Sequence, residues 1–433
     1  MNDLSILLKN ACVITMNESC EVKQDCSVGI RYGKIIYVGP YSNSMDEKYD
    51  RVIDCRGKIV MPGFFNTHGH AAMTLFRNYA DDMSLMDWLF KKVCPLEDNL
   101  DGEAVYWGTQ LAALEMIKSG TVAFTDMYFF MDSAARAVEE SGMKALLSRG
   151  LQGSEASKTE ARILENLELH DRYHNSCGGR IKVGLGPHSV YTASFDYLKC
   201  VAEVARERNI AIQVHASEND SEVQGCMDKY GMSPVKLLDK AGLLTSTTIA
   251  AHCVRVDDED MDILKARGVS VAHNPSSNMK LASGIAPVQR MVEKGINVCL
   301  GTDGAASNNC LDMFKEMREA SYLQKVVTLD PTALPVDTVL RMATVDGARA
   351  MGFNNDGIIE EGAAADVIVI NADKEYYHPR HNMKAALVYS CNSTDVEISI
   401  IDGRIVMEGG RVLSLDEELI YREVEKSFQK LTH

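Results

Sequence analysis

Between about residues 58 and 352 the chain alternates two patterns. Short apolar runs rich in β-branched residues are separated by longer stretches whose apolar positions recur every three to four residues, which predicts strands joined by helices. The strand-like runs cover residues 58–65, 121–127, 144–151, 181–186, 211–215, 247–252, 269–273 and 298–301, eight in all. Between them, helical spacing runs over 101–118, 195–207, 257–266, 287–294 and 311–325. Asp101 is a natural N-cap for the first of these, and Ser119-Gly120 ends it. Eight strands alternating with helices predict an α/β fold of the (β/α)8 type, a TIM barrel.

The two ends of the chain have a different texture. Residues 11–16, 27–31 and 34–38 read as short strands broken by turns such as Tyr32-Gly33. The same rhythm returns in 365–370, 385–389, 398–402 and 404–407, with Asp402-Gly403 and Gly409-Gly410 as turn signals. The expectation is a small β-sandwich built from both termini (residues 1–57 plus 356–433), with the barrel (58–355) inserted between its halves.

Composition narrows the partners. A chain of 433 residues with 46% apolar content can bury a large core. Its 45 Lys and Arg against 61 Asp and Glu give a net charge of −16 with no basic cluster, which disfavours nucleic acid and anionic membranes. No apolar run reaches membrane-spanning length, and Met1-Asn2-Asp3-Leu4 carries an acid where a leader would be apolar. The twelve cysteines are scattered without a Cys-x-x-Cys pair, so free thiols are expected. These features predict a cytoplasmic protein.

The chemistry gathers where predicted strands end. Residues 58–65 run out into His68-Gly69-His70, two imidazoles on the same side of an extended segment. Other exits carry Asp126, Arg149, His188, His215, His252, His273 and Asp303, so six of the eleven histidines fall at strand exits. A barrel brings all such exits to one mouth. A hydrolytic metal site needs three or four N and O ligands and an open position. His68, His70, His215 and Asp303 supply that set, and Glu218, three residues past His215, is placed to act on bound water.

The motifs Pro62-Gly63-Phe64-Phe65-Asn66-Thr67-His68-Gly69-His70, His215-Ala216-Ser217-Glu218, Ala251-His252 and Gly301-Thr302-Asp303-Gly304 together resemble the amidohydrolase superfamily, in its cyclic deaminase branch, over essentially the whole chain. The resemblance implies a mononuclear site with His68, His70, His215 and Asp303 as ligands to one divalent ion, zinc first, with iron or manganese also accommodated. Dinuclear branches carry a carboxylated lysine at the fourth strand exit, where this chain has Gly186-Pro187-His188. Glu218 and Asp303 would move protons. His252 would polarise the water, or else support a ligand from behind.

Further segments resemble the S-adenosylhomocysteine and methylthioadenosine deaminases: Leu85-Met86-Asp87-Trp88-Leu89, Pro95-Leu96-Glu97, Ser148-Arg149-Gly150-Leu151 and Ser307-Asn308-Asn309. That likeness implies that Glu97 accepts from ribose hydroxyls, that His188 meets the purine, and that Arg149 pairs with an amino-acid carboxylate. Arg162 is the candidate second arginine, with a surface pair to Glu165 or Asn166 as the alternative. Trp88 either stacks on the substrate or belongs to the core. The reaction implied is hydrolytic release of ammonia from an adenosyl thioether, in a homo-oligomer.

Rival readings are a deaminase or hydrolase of another heterocycle (5′-deoxyadenosine, adenosine, guanine, a pterin or a triazine) and a catalytically dead scaffold. The scaffold would be marked by a missing ligand, and each candidate is present. A nucleic-acid deaminase would carry a Pro-Cys-x-x-Cys element, which is absent.

Overall fold

The structure, a computed structural model, describes residues 4–432. The Met1-Asn2-Asp3 start therefore lies outside the described residues.

Eight parallel strands follow one another in chain order around the barrel. They are Phe64–Asn66, Thr121–Tyr128, Lys144–Leu151, Ile181–Pro187, Ile212–Ala216, Thr248–His252, Ser270–His273 and Asn297–Leu300. The ring closes between last and first, where Thr67 N donates to Leu300 O at 3.0 Å and Asp303 N to His68 O at 3.0 Å. Every residue of Thr121–Tyr128 is buried, as expected of a strand covered by side chains within and helices outside. The helices begin and end on local chemistry. Asp101 caps Gly102–Lys118 by accepting from Ala104 N, Ser194 caps Phe195–Arg208, and Asp257 with Asp260 forms a reciprocal capping box on Asp258–Arg267.

The terminal strands make one nine-stranded mixed sheet. Ile6–Ile14 pairs antiparallel with Val22–Arg31 and parallel with both Arg51–Asp54 and Lys58–Pro62. Lys58–Pro62 in turn pairs with Val367–Asn371, which leads on to Val396–Ile401 and Arg404–Glu408. The wings meet again where Ala365 N donates to Gly33 O at 2.9 Å and Gly403 N to Ala365 O at 3.0 Å. Ile6, Leu8, Val28, Val60, Val367 and Ile398 fill a core of their own. The half-sheets expected at the two ends are thus hydrogen-bonded into a single folded sheet.

Two local expectations change. The run 58–65 is two strands: Lys58–Pro62 belongs to the terminal sheet and Phe64–Asn66 to the barrel. The turn between them falls at Gly63, where a β-carbon would lie 2.2 Å from Val122 Cγ1. Residues 385–389, expected as a strand, lie in the helix Met383–Tyr389, capped by Asn382 accepting from Ala385 N. Met383, Leu387 and Val388 bury one face of it, and a short apolar run of this kind does not separate strand from helix by periodicity.

Sheet and barrel are locked at the barrel floor. Lys144, at the start of the third barrel strand, is buried between Asp356, at 2.6 Å, and Asp366.

Candidate active site

At the opposite end of the barrel the strand exits enclose a cleft of about 390 Å³. His70, Glu97, Trp88, Arg149, His188, His215, Glu218, His252 and Asp303 all line it. His68 stands directly behind, 1% exposed. Two of these positions, His252 (φ 73°) and Asp303 (φ 63°), hold the left-handed backbone that non-glycine residues rarely adopt, and so does Ser217 (φ 52°), next to Glu218. Such strain is held where the surroundings fix a chain in a functional geometry.

The imidazoles converge. Nε2 of His68 and Nε2 of His70 each lie 3.4 Å from Asp303 Oδ1, and Nε2 of His215 lies 3.3 Å from Nε2 of His70. The opposite ring edges are tied to the backbone. His70 Nδ1 donates to Met127 O at 2.7 Å and His215 Nδ1 to His188 O at 2.7 Å, which leaves their Nε2 lone pairs facing each other. His68 Nε2 is buried without a hydrogen-bond partner among the described residues. Burial holds His68 down to about 4 and His215 well below the usual imidazole value, so both are neutral at physiological pH. Burial works to raise Asp303, but His68, His252 and His70 overcome it and hold the carboxyl well below its usual range. Its Oδ2 accepts from Ser277 Oγ at 2.6 Å and Ser307 Oγ at 2.9 Å, and Oδ1 accepts from Gly304 N at 2.8 Å. Neutral imidazoles with inward Nε2 atoms, one of them orphaned, and an ionised carboxylate form a donor set that fits a divalent metal ion.

Two carriers of charge flank that set. Burial, with the nearby Asp303, raises the Glu218 carboxyl. Burial pulls His252 down, but Glu218 and Asp303 more than offset it and the imidazole is raised. Its Nδ1 contacts Asn278 Oδ1 at 2.9 Å.

The rest of the cleft is amphipathic. Glu97 accepts from Tyr128 Oη at 2.6 Å, and burial raises its carboxyl. Trp88 is buried, yet it lines the cleft and its Nε1 has no partner among the described residues. Burial lowers His188 to about 3, and its Nδ1 meets Thr192 Oγ1 at 3.1 Å. Arg149 stacks on Phe129, 4.8 Å from the ring centroid, and its Nε donates to Glu165 Oε2 at 2.8 Å.

Arg162 is placed elsewhere. Its Nη1 donates to Gln152 O at 2.9 Å and to Glu160 Oε1 at 3.2 Å, outside the residues that line the cleft. The partner of Glu165 is Arg149. Asp126 and His273, also at strand exits, are buried outside the cleft: Asp126 Oδ1 accepts from Ala71 N at 2.9 Å, and neither ring nitrogen of His273 has a partner among the described residues.

Sequence reasoning passed over Ser277, Asn278, Tyr128 and Glu222. Glu222 Oε2 accepts from Glu218 N at 2.7 Å, fixing the turn that presents Glu218. Burial pushes the Glu222 carboxyl up to about 8. Nothing in the sequence marks Glu222, because its contact is with the backbone of a turn outside its own helix.

Residues 59–406 match the model of the amidohydrolase family, and the chain belongs to that family. Among curated relatives, it is 45% identical over 99% of both chains to a 5-methylthioadenosine/S-adenosylhomocysteine deaminase of Thermoanaerobacter pseudethanolicus. It is 49% identical to the protein of the same name from Dictyoglomus thermophilum, over 88% of this chain and 89% of that one. Among solved structures, a zinc-bound adenosine deaminase from Xanthomonas campestris superposes with a TM-score of 0.93 at 31% identity, covering 99% of this chain and 98% of that one.

Proposed function

We propose that this protein hydrolytically deaminates adenosyl thioethers, converting S-adenosylhomocysteine to S-inosylhomocysteine, methylthioadenosine to methylthioinosine, or both, with release of ammonia. The observation that carries the reading is the convergence of His68, His70, His215 and Asp303 on one side of a cleft that also holds Glu218, His252 and Glu97. The near full-length likeness to deaminases of that name supports the substrate class.

In this reading His68, His70, His215 and Asp303 hold one divalent ion, zinc. Bound there, the ion supplies Lewis acidity and lowers the pKa of water toward neutrality. The remaining work falls to the chain. Asp303, ionised at neutral pH, accepts a proton from the attacking water at a carboxylate oxygen. Glu218, its carboxyl raised by burial, delivers a proton to a ring nitrogen of the purine; as the C–N bond breaks, Asp303 passes the proton it took from water to the departing amine, and Glu218 helps ammonia leave by taking back a proton from the new hydroxyl. His252 hydrogen-bonds and orients the water. Glu97 accepts from the ribose hydroxyls, its second lone-pair set steadied by Tyr128. His188 and Trp88 border the base, and Arg149 takes the carboxylate of the amino-acid end. Arg162 acts through Gln152, whose carbonyl it holds and which lines the cleft.

The protein is read as cytoplasmic and homo-oligomeric. Its cysteines are free thiols, which supports the first point; light scattering reads out the second. The test of function is the change in adenine absorbance with S-adenosylhomocysteine, in protein stripped of metal and then reloaded with zinc. Inosyl product only after reloading is expected; no product at any metal loading overturns the reading.

A further inference from the structure

The cleft continues past Arg149. A second hollow of about 250 Å³, lined by Phe130, Met131, Ser133 and Leu169, shares Phe130, Arg149 and Glu165 with the first. An ion pair therefore stands at the junction of the two. Arg149 is 12% exposed and spends Nε on Glu165 and Nη1 on Gly150 O, at 2.7 Å, leaving further guanidinium donors for a ligand. Glu165 is 46% exposed, and Arg149 is its ion-pair partner among the described residues. Asp132, the other acid at the hollow, is compensated by Arg172 at 3.0 Å.

We propose that Glu165 receives the ammonium of the substrate's amino-acid end while Arg149 receives its carboxylate, so that the pair selects a zwitterionic 5′ substituent over an anionic one. This rests on the reading of the site as an adenosyl thioether deaminase and adds the acidic half of the recognition element. The physics is charge balance. A lone carboxylate brought to Arg149 must displace Glu165 or sit beside it, two like charges sharing one guanidinium. An α-amino acid brings a cation with its anion, so each member of the pair keeps an opposite partner when the hollow is filled. A methyl group brings neither and leaves the Arg149–Glu165 pair closed, which makes methylthioadenosine an internal reference.

The experiment compares wild type with Glu165→Gln on three substrates: S-adenosylhomocysteine, its des-amino analogue S-adenosyl-4-mercaptobutyrate, and methylthioadenosine. Each kcat/KM is expressed relative to methylthioadenosine on the same preparation, so loss of folded protein cancels. The expected result is that Glu165→Gln lowers the S-adenosylhomocysteine ratio about ten-fold through KM and raises the des-amino ratio. Glu165→Asp is expected to recover part of the first effect. Unchanged ratios, or an equal fall for both acidic substrates, would overturn the role of Glu165 and leave the deaminase reading intact. Wild type that turns over none of the three would overturn both.

Discussion

In the proposed reaction Glu218 carries the heaviest chemical load of any single side chain. It is buried with a raised carboxyl, it stands beside the candidate metal donors without being one of them, and Glu222 holds its backbone in place. Glu218→Gln should therefore keep its metal and lose about 10²–10⁴-fold in turnover. Metal analysis on the same sample separates the two effects, and full turnover with full metal would assign the proton transfer elsewhere. Arg149→Ala should weaken S-adenosylhomocysteine about ten-fold more than adenosine, because only the former carries a carboxylate. Equal losses in kcat/KM for the two would remove the carboxylate contact. These residues were readable from the chain because a barrel brings its strand exits together. Glu165, Tyr128 and Ser277 were not, since a glutamate, a tyrosine and a serine gain meaning only from the partner that folding places against them.

Among elements, the weight falls on two buried polar clusters. Lys144 ties the third barrel strand to the terminal sheet through Asp356 and Asp366. Burial and the neighbouring Asp366 push Asp356 up to about 7 even with the lysine present. Lys144→Met should cost about 3–5 kcal/mol, because two carboxylates are left facing each other without a cation. Urea unfolding measures this, and a loss below about 1 kcal/mol would mean the lock is dispensable. Glu316, on the helix Met313–Thr328, accepts from Ser276 N at 3.1 Å and Asn308 Nδ2 at 2.8 Å. Burial pushes its carboxyl up to about 8 from an ordinary value of 4.5. Between those values the native state keeps a proton that the unfolded chain has released, so this contribution is full below the lower value and lost as pH rises through the upper one. Melting curves should show wild type losing stability relative to Glu316→Gln from about pH 5 to about pH 8; parallel curves would mean Glu316 is ionised in the fold. Element identity was legible for the barrel, where long helices with caps separate buried strands. It failed at 385–389, and the single run 58–65 hid a change of sheet. The chain's apolar pattern is continuous across Gly63, and only the packing of Val122 against that glycine reveals the turn.

At the scale of the molecule, the two sheets divide the work. The terminal sheet buries its own core and is locked to the floor of the barrel, while the candidate metal donors and the cleft occupy the mouth. Lys58–Pro62 and Phe64–Asn66 join the two directly, so the strand that delivers His68 and His70 is continuous with the sheet that braces the barrel. The mouth is proposed to deaminate an adenosyl group through its cluster of His and Asp side chains. Ammonia release tests it most directly. Zinc-loaded protein would be offered S-adenosylhomocysteine, methylthioadenosine, 5′-deoxyadenosine, adenosine, guanine and a pterin, with a chelated control for each. Chelator-sensitive release from the adenosyl compounds, with the thioethers ahead, is the predicted result. Release from guanine or the pterin in their place would contradict the substrate pocket, and silence across the whole panel would contradict the claim itself.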